Sequence, residues 1–300
     1  MKRQRNFSII VFALSLLAFT GYNIYDWVQD DRYAPIIEVE QEELKVSIEA
    51  EPDELLQGVT ASDSKDGDVT DSLVVESISK FLNDDKKIIT YAAFDSDHHV
   101  GKATREVSYT DYTSPKFSCK TAFRFPVNTV DFIQAVTARD CIDGDITEKI
   151  KVSPGYSIVT DVPGEYELQL QVSNSSGDVE YLPLTIEIYD PTDRETVPDI
   201  QLKKYIVYTK VGKKIDTSKY LNKVFIGSAE YKVSNSSNTY SSRNPYAGGT
   251  ISAGYIDIDT SSVDYDTPGT YEVIYKMALD GEHVGKTRLF VVVREETGKK

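Results

Sequence analysis

Internal repetition constrains the fold of this chain of 300 residues more than any other feature of its sequence. Three pairs of segments recur: TASDSKDGDVTDSL (Thr60–Leu73) with TARDCIDGDITEKI (Thr137–Ile150), DVPGEYELQLQV (Asp161–Val172) with DTPGTYEVIYKM (Asp266–Met277), and HVGKATREV (His99–Val107) with HVGKTRLFV (His283–Val291). Each third of the chain shares a pair with another third. Because a recurring segment marks a recurring structural unit, the sequence predicts three copies of one module.

Alternation of apolar and polar residues predicts that each module is built from β-strands. Residues 166–172 and 271–277 alternate with a period of two, which places the apolar side chains on one face of a strand. A Pro-Gly pair shortly before each of these segments is typical of a turn. The sequence therefore predicts an all-β protein, with three tandem Ig-like β-sandwich domains after one N-terminal transmembrane helix.

Prolines and polar segments indicate where the modules begin and end. The predicted division is a basic cytoplasmic tail (1–5), a transmembrane anchor or uncleaved signal (6–28), domain 1 (34–113), domain 2 (114–190), a linker (191–198), a divergent domain 3 (199–294) with a long loop (234–254), and a charged tail (295–300). We expect three sandwiches in a row, with domain 3 projecting furthest from the membrane.

The N-terminus has the composition of a membrane-targeting segment. Lys2, Arg3 and Arg5 precede an uncharged run from Asn6 to Tyr25. A membrane span needs about 20 residues, which this run supplies, and the basic residues stay on the cytoplasmic side. A cleaved signal peptide is the alternative, but the small-x-small cleavage site it requires is poorly matched. The length favours a single-pass anchor, and both alternatives place the bulk of the chain outside the cell membrane.

The charge balance restricts the partners. The chain has 33 basic and 48 acidic residues and a net charge of −15. An acidic protein of this kind repels nucleic acid, so we expect no nucleic-acid partner. The expected partners are the membrane, through the N-terminal helix, and a protein or a cell-wall polysaccharide.

Catalytic patterns are missing from the sequence. The three histidines are His98, His99 and His283, and no acid or nucleophile is spaced around them as a catalytic triad requires. The sequence contains neither a Gly-rich phosphate loop nor a metal-hydrolase helix motif. We therefore expect a non-enzymatic protein.

The chain has two cysteines, Cys119 and Cys141. In an exported protein such a pair is expected to form a disulfide, which would close a loop of about 20 residues and add on the order of 3 kcal/mol to stability. Two free thiols are the alternative. Because no Cys/His cluster occurs, structural zinc is not expected.

The repeated motifs resemble the bacterial surface-protein Ig-like domain, a module found in tandem on Gram-positive envelope proteins and in some pesticidal crystal proteins. The resemblance lies in A-x-D-x-x-D-G-D-V/I-T, in P-G-x-Y-x-V-x-Y and in G-x-(T/A)-x-x-R-x-V-x-V, and it covers most of residues 34–294. Domain 1 lacks the Pro-Gly turn and domain 3 lacks DGD, so domain 3 is the least secure member. The resemblance implies a spacer or binding module and no particular reaction.

Each DGD motif brings three carboxylates close together in sequence. They are Asp63, Asp66 and Asp68 in domain 1, and Asp140, Asp143 and Asp145 in domain 2. Calcium takes 6–8 oxygen ligands, so three acids supply only part of a site, and weak calcium binding is one interpretation. The other, which we favour, is that the aspartates cap backbone N–H groups in a turn.

The most distinctive stretch is the long loop of domain 3, Ser234–Gly254. Its Tyr, Ser, Asn, Arg and Gly content is typical of antibody binding loops, with Tyr240, Arg243 and Tyr246 as the expected anchors. A flexible surface loop explains this composition equally well.

These observations predict a cell-surface spacer, adhesion or binding module held by its N-terminal helix. Two alternatives are an accessory factor of envelope or polysaccharide assembly that contacts its partners through domain 3, and a secreted effector if the N-terminus is cleaved.

Overall fold

A computed structural model describes residues 2–29, 33–81, 86–129, 132–191, 197–234 and 249–295. The chain divides into two compact units, Met1–Thr110 and Asp111–Lys300. The first holds the N-terminal helix and one β-sandwich, and the second holds two β-sandwiches. The two units are described separately.

Helix α1, Lys2–Gln29, comprises the apolar N-terminal segment. Its side chains are exposed over the stretch Asn6–Tyr25, whose mean hydropathy is 1.9. Two hydroxyls return to helix carbonyls, Ser15 to Phe12 and Thr20 to Leu16, so neither interrupts the helix. By length and composition α1 can cross a membrane, a test that a signal sequence near an N-terminus also passes.

The first sandwich contains two sheets. Its elements are β1 (Ile36–Val39), β2 (Glu43–Val46), the single helical turn α2 (Pro52–Leu55), β3 (Val59–Asp63), β4 (Gly67–Asp68), a 3-10 turn (Thr70–Ser72), β5 (Val74–Ile78), β6 (Lys86–Phe94) and β7 (Val100–Tyr109). The sheet orders are β1-β3-β4 and β2-β7-β6-β5. Alternate residues of β3 and β6 point inward, and the core includes the fully buried Ile89 and Tyr91.

The second sandwich repeats this arrangement. Its elements are β8 (Lys116–Cys119), β9 (Arg124–Pro126), a 3-10 turn (Ile133–Ala135), β10 (Val136–Asp140), β11 (Gly144–Asp145), a 3-10 turn (Thr147–Lys149), β12 (Lys151–Val152), β13 (Gly164–Ser173) and β14 (Val179–Tyr189). The sheet orders are β11-β10-β8 and β12-β13-β14-β9.

The third sandwich adds one strand to the same arrangement. Its elements are β15 (Asp199–Leu202), β16 (Ile206–Lys210), a 3-10 turn (Thr217–Tyr220), β17 (Leu221–Ile226), β18 (Ala229–Ser234), β19 (Gly249–Ser252), a 3-10 turn (Ala253–Tyr255), β20 (Asp257–Asp259), β21 (Gly269–Ala278) and β22 (Val284–Arg294). The sheet orders are β15-β17-β18-β19 and β16-β22-β21-β20.

Strand pairing confirms the predicted fold class, because all three sandwiches have the same connectivity. In each, the second strand pairs in parallel with the last strand, whereas the last two strands form an antiparallel hairpin. Strand β19 corrects the predicted extent of the long loop. Its residues Gly249–Ser252 pair in parallel with β18, so part of the stretch read as loop is the edge strand of a sheet.

The second and third sandwiches lie side by side. Three backbone atoms of the second sandwich, two in β8 and one just before it, are hydrogen-bonded to the third sandwich. The Cys119 carbonyl accepts a hydrogen bond from Tyr205 N at 3.0 Å, Phe117 N donates to the Tyr208 hydroxyl at 2.8 Å, and the Pro115 carbonyl accepts from Arg294 Nη2 at 2.8 Å. Buried residues of both sandwiches form one continuous core.

A close approach between chain segments explains the glycine of the repeated HVGK motif. A Cβ atom on Gly101 would collide with the carbonyl oxygen of Pro35, just before β1, and one on Gly285 would collide with that of Pro198, just before β15. In the first and third sandwiches, therefore, the last strand needs glycine here to admit the strand that opens the domain.

Candidate functional site

The DGD loops bind their own backbone. Asp63 Oδ1 accepts hydrogen bonds from Lys65 N at 2.8 Å and from Asp66 N at 3.0 Å. Asp140 Oδ1 accepts the corresponding bonds from Ile142 N and Asp143 N at the same two distances. The first aspartate of each motif therefore caps the turn that follows it.

The middle aspartate of each motif bonds a distant hairpin. Asp66 accepts bonds from Ser96 N at 2.8 Å and from Ser96 Oγ at 2.9 Å. Asp143 accepts bonds from Ser175 N at 2.7 Å and from Ser175 Oγ at 2.5 Å, and it pairs with Lys149 at 2.7 Å. These contacts join the loop between the third and fourth strands to the hairpin between the last two strands.

The last aspartate of each motif accepts a hydrogen bond from the backbone of the threonine two residues further along the chain. Asp68 accepts from Thr70 N, and Asp145 accepts from Thr147 N, each at 3.0 Å. Hydrogen bonds from these threonines lower the pKa of both carboxyls. The three carboxylates of a motif thus serve different donors. Across the described ranges, no group of three or more His, Cys, Asp or Glu side chains is placed to share a metal ion. This geometry favours capping over the calcium interpretation.

Two histidines belong to hairpin caps. His99 Nδ1 lies 2.9 Å from Asp95 Oδ2, and His283 Nδ1 lies 2.7 Å from Asp280 Oδ2. Asp95 and Asp280 also accept bonds from the backbone N–H groups of these histidines. These bonds and that from Glu282 N lower the pKa of Asp280 to about 2. The histidines therefore help to shape turns.

The predicted disulfide is wrong, because both cysteines are free thiols. Cys119 on β8 is buried opposite Val136 on β10, and its Sγ donates to the carbonyls of Thr121 and Ala135. Cys141 is exposed beyond the far end of β10 and donates to Thr113 O. The strand from Val136 to Asp140 spans about 13 Å, whereas a disulfide needs Cα atoms within about 7 Å.

A partly buried ion pair joins the second and third sandwiches. Glu180 pairs with Arg294, whose guanidinium lies 4.6 Å from the centre of the Tyr208 ring. The Glu180 side chain is 14% exposed, and burial raises the pKa of its carboxyl while Arg294 opposes that shift. Glu180 is the second residue of β14, the place that Gly101 and Gly285 occupy in β7 and β22. In the second sandwich the residue at this position therefore contacts the third sandwich. We call the contact surface between the second and third sandwiches the joint.

The same joint carries a groove lined by both sandwiches. A cavity of about 260 Å³ is bordered by Lys120, Thr121 and Arg124 from the second sandwich and by Asp199, Gln201 and Asn222 from the third, among others. A neighbouring cavity of about 380 Å³ shares Asp199 and Gln201 and extends to Phe225. We call these two cavities together the joint groove.

Arg124 forms one wall of the joint groove and is 9% exposed. Its guanidinium pairs with Glu187 through Nε at 2.8 Å and Nη2 at 2.9 Å. Its Nη1 is buried without a hydrogen-bond partner among the described residues and lies 3.9 Å from Asp199 Oδ1. The wall of the groove thus contains a guanidinium that is hydrogen-bonded to Glu187 on one edge and lies at ion-pair distance from Asp199 on the other.

The predicted anchors Tyr240, Arg243 and Tyr246 lie outside the described residues, as does most of the predicted linker 191–198. Sequence reasoning did not find Arg124, Glu180 or Arg294, since none belongs to a recurring motif. The sequence does distinguish Glu180 in one way, because this glutamate replaces the glycine that the other two copies of the module have at the same position.

The fold and the joint define a class, an all-β protein of three sandwiches behind one apolar N-terminal helix. No protein-family model and no curated protein matches this chain. The bacterial surface-protein resemblance therefore remains a prediction.

Solved structures show distant likeness to multidomain β-proteins. The CBM51-2 and INT domains of Clostridium perfringens ZmpB match at 18% identity and a TM-score of 0.21, over 49% of this chain and 26% of that one. Mouse cadherin-23 EC22-24 matches at 12% identity and a TM-score of 0.19, over 88% of this chain and 99% of that one. The Bacteroides thetaiotaomicron lipoprotein BT2262 matches at 13% identity and a TM-score of 0.19, over 85% of this chain and 98% of that one. The chain spans about a quarter of the length of the ZmpB structure. Scores this low carry no argument about function.

Proposed function

We propose that this protein is a non-enzymatic binding module, held at the outer face of a membrane by α1, and that its second and third sandwiches form the binding head. The observation that carries the proposal is the joint groove, because the walls of its first cavity come from both sandwiches. Binding sites form preferentially where domains meet. A cell-surface role in adhesion agrees with the surface-protein resemblance.

The geometry of the polar side chains supports a role without catalysis. His99 and His283 are engaged with Asp95 and Asp280 in hairpins. A triad would need a nucleophile within reach of such a histidine, and the described contacts of the two rings are with these aspartates. Among the described residues, those that line the joint groove include no histidine or cysteine.

Fractionation tests the anchor. We expect the full chain to stay in the membrane pellet after an alkaline wash, with Lys2, Arg3 and Arg5 still present on N-terminal sequencing. A mature chain that begins near Gly21 and is found in the medium would overturn the anchored part of the proposal.

Affinity capture tests the binding head. Immobilised full chain in detergent micelles is expected to retain a component of the envelope and to release it with unchanged mass. If nothing is retained, the binding role is wrong. If the retained component is released with altered mass, the protein is an enzyme.

A further inference from the structure

We propose that the joint groove binds a neutral saccharide rich in hydroxyl groups. This inference rests on the proposed function, since it names the class of ligand that the binding head takes. It follows from the donors, acceptors, charges and shape of the groove.

The groove presents hydrogen-bond donors. Arg124 Nη1 is buried at the wall with no hydrogen-bond partner among the described residues, and the exposed side chains of Asn222 and Lys120 lie at the rim. A buried N–H group without a partner costs about 1–3 kcal/mol, more for a charged group. A ligand oxygen placed beside Nη1 would recover part of that cost.

Acceptors lie beside these donors. Asp199 and Gln201 alternate on β15 with the buried Ile200 and Leu202, so their side chains face outward into the groove. Gln201 Nε2 donates to Asp199 Oδ2 at 3.2 Å, which fixes the orientation of both side chains and turns the Gln201 amide oxygen away from Asp199. A hydroxyl group both donates and accepts, so a ligand with many hydroxyls matches a mixed set of this kind.

The charges around the groove balance. Lys120, Arg124 and Lys223 supply three positive charges in or beside the groove, and Asp199, Glu187 and Glu230 supply three negative ones. An anionic ligand would gain from the positive charges and lose a similar amount to the negative ones, so the groove favours a neutral ligand over a charged one.

The groove comprises two adjoining cavities and includes an apolar patch. The two cavities adjoin at Asp199 and Gln201, and the second ends at Phe225, which lies directly across the sheet from Asp199. Lys223 lies 4.7 Å from the centre of the Phe225 ring. A half-buried aromatic ring offers apolar contact area beside polar groups, which suits the C–H face of a sugar.

Titration calorimetry of the full chain in detergent micelles tests the inference. The neutral probes are β-1,4-linked tetramers of glucose and of N-acetylglucosamine, the anionic probe is a galacturonate tetramer, and the peptide probe is tetra-alanine. The test variant is Gln201→Ala with Asn222→Ala, and the matched control is Lys151→Ala, an exposed residue of β12 that does not line the groove.

We expect a neutral tetramer to bind the wild type and the control equally, and to bind the double variant about tenfold more weakly, since two hydrogen bonds are lost. Both variants should keep the wild-type melting temperature. Binding of only the anionic or only the peptide probe, equal affinity of the double variant, or no binding at millimolar probe would each overturn the inference. If the immobilised chain still retains a component of the envelope in any of these cases, the saccharide inference is wrong but the proposed binding function stands.

Discussion

At the scale of single residues, the middle aspartate of the DGD motif is the one that bonds the hairpin serine through both of its carboxylate oxygens, although in the second sandwich Asp140 also accepts a bond from Asn174 of the same hairpin. Asp143 bonds both the amide and the hydroxyl of Ser175, whereas Asp145 bonds only Thr147 of its own turn. The third sandwich has neither a DGD motif nor a serine at the matching hairpin position, where Gly281 follows Asp280. The two partners are present together and absent together, which indicates that the bond between them is what the motif provides.

Replacing Asp143 tests this role. We expect Asp143→Ala to lower the free energy of unfolding by about 2 kcal/mol, because two hydrogen bonds between loops are lost, together with the largely exposed ion pair to Lys149. Asp145→Ala, which removes a bond within one exposed turn, should lower the free energy of unfolding by clearly less than Asp143→Ala. Urea unfolding measures both. Equal costs for the two variants would show that the contact with Ser175 is not the important one.

The carboxyl of Asp280 predicts an acid-sensitive hairpin. Its pKa is lowered from 3.8 to about 2 by bonds from His283 N, the His283 ring and Glu282 N. Because the folded pKa lies below the unfolded one, this contribution to stability is complete above the unfolded pKa and is lost as the pH falls through about 2. We expect Asp280→Asn to reduce the loss of stability between pH about 5 and about 2, measured by urea unfolding. An identical pH profile would contradict this.

At the scale of strands, the HVGK glycine determines how closely the opening strand packs. A Cβ on Gly285 would collide with the Pro198 carbonyl, whereas one on Gly281 meets nothing within 4 Å. We therefore expect Gly285→Ala to destabilise the third sandwich by about 1–3 kcal/mol through overpacking. Gly281→Ala should change stability by less than about 0.5 kcal/mol. Thermal unfolding distinguishes the two, and similar melting temperatures would refute the close-approach explanation.

The strands were predictable from the sequence, and the joint was not. Residues 166–172 and 271–277 lie in β13 and β21, because burying one face of a strand imposes a period of two that is visible locally. Contacts such as Glu180 with Arg294 depend on a side-by-side placement that no local pattern records. The disulfide prediction was wrong for a related reason, since spacing along the chain does not reveal that a strand separates Cys119 from Cys141.

Two ion pairs across the joint provide a matched comparison. Glu180 pairs with Arg294 and is 14% exposed, whereas Glu165 pairs with Arg288 at 2.5 Å and is 48% exposed. Removing one partner of a buried pair leaves a charge that is poorly solvated. We expect Glu180→Gln to lower the free energy of unfolding by about 2 kcal/mol, and Glu165→Gln by less than about 1 kcal/mol, because the buried Arg288 keeps a second carboxylate partner, Glu272, at 3.1 Å. Urea unfolding would contradict this if the order were reversed.

At the scale of the whole molecule, the shared core predicts how many cooperative units the chain has. Phe123 and Phe290 come from different sandwiches, and their rings meet edge to face at 5.2 Å inside one continuous core. Separating the second and third sandwiches would expose both rings, so neither sandwich is expected to keep its stability alone. The first sandwich has its own core. Calorimetry of the full chain in detergent should therefore show two unfolding transitions.

Truncated chains test whether the protein unfolds as two cooperative units or as three. A chain that ends at residue 190 loses every partner of β8 in the third sandwich and exposes Phe123, so we expect its second sandwich to melt well below the wild type. A chain that begins at residue 111 retains the whole second unit and should keep the wild-type transition. Three transitions in the full chain, or an unchanged midpoint after truncation at residue 190, would mean that the sandwiches are independent. The joint groove depends on the same contacts, so loss of the shared transition should also abolish ligand binding.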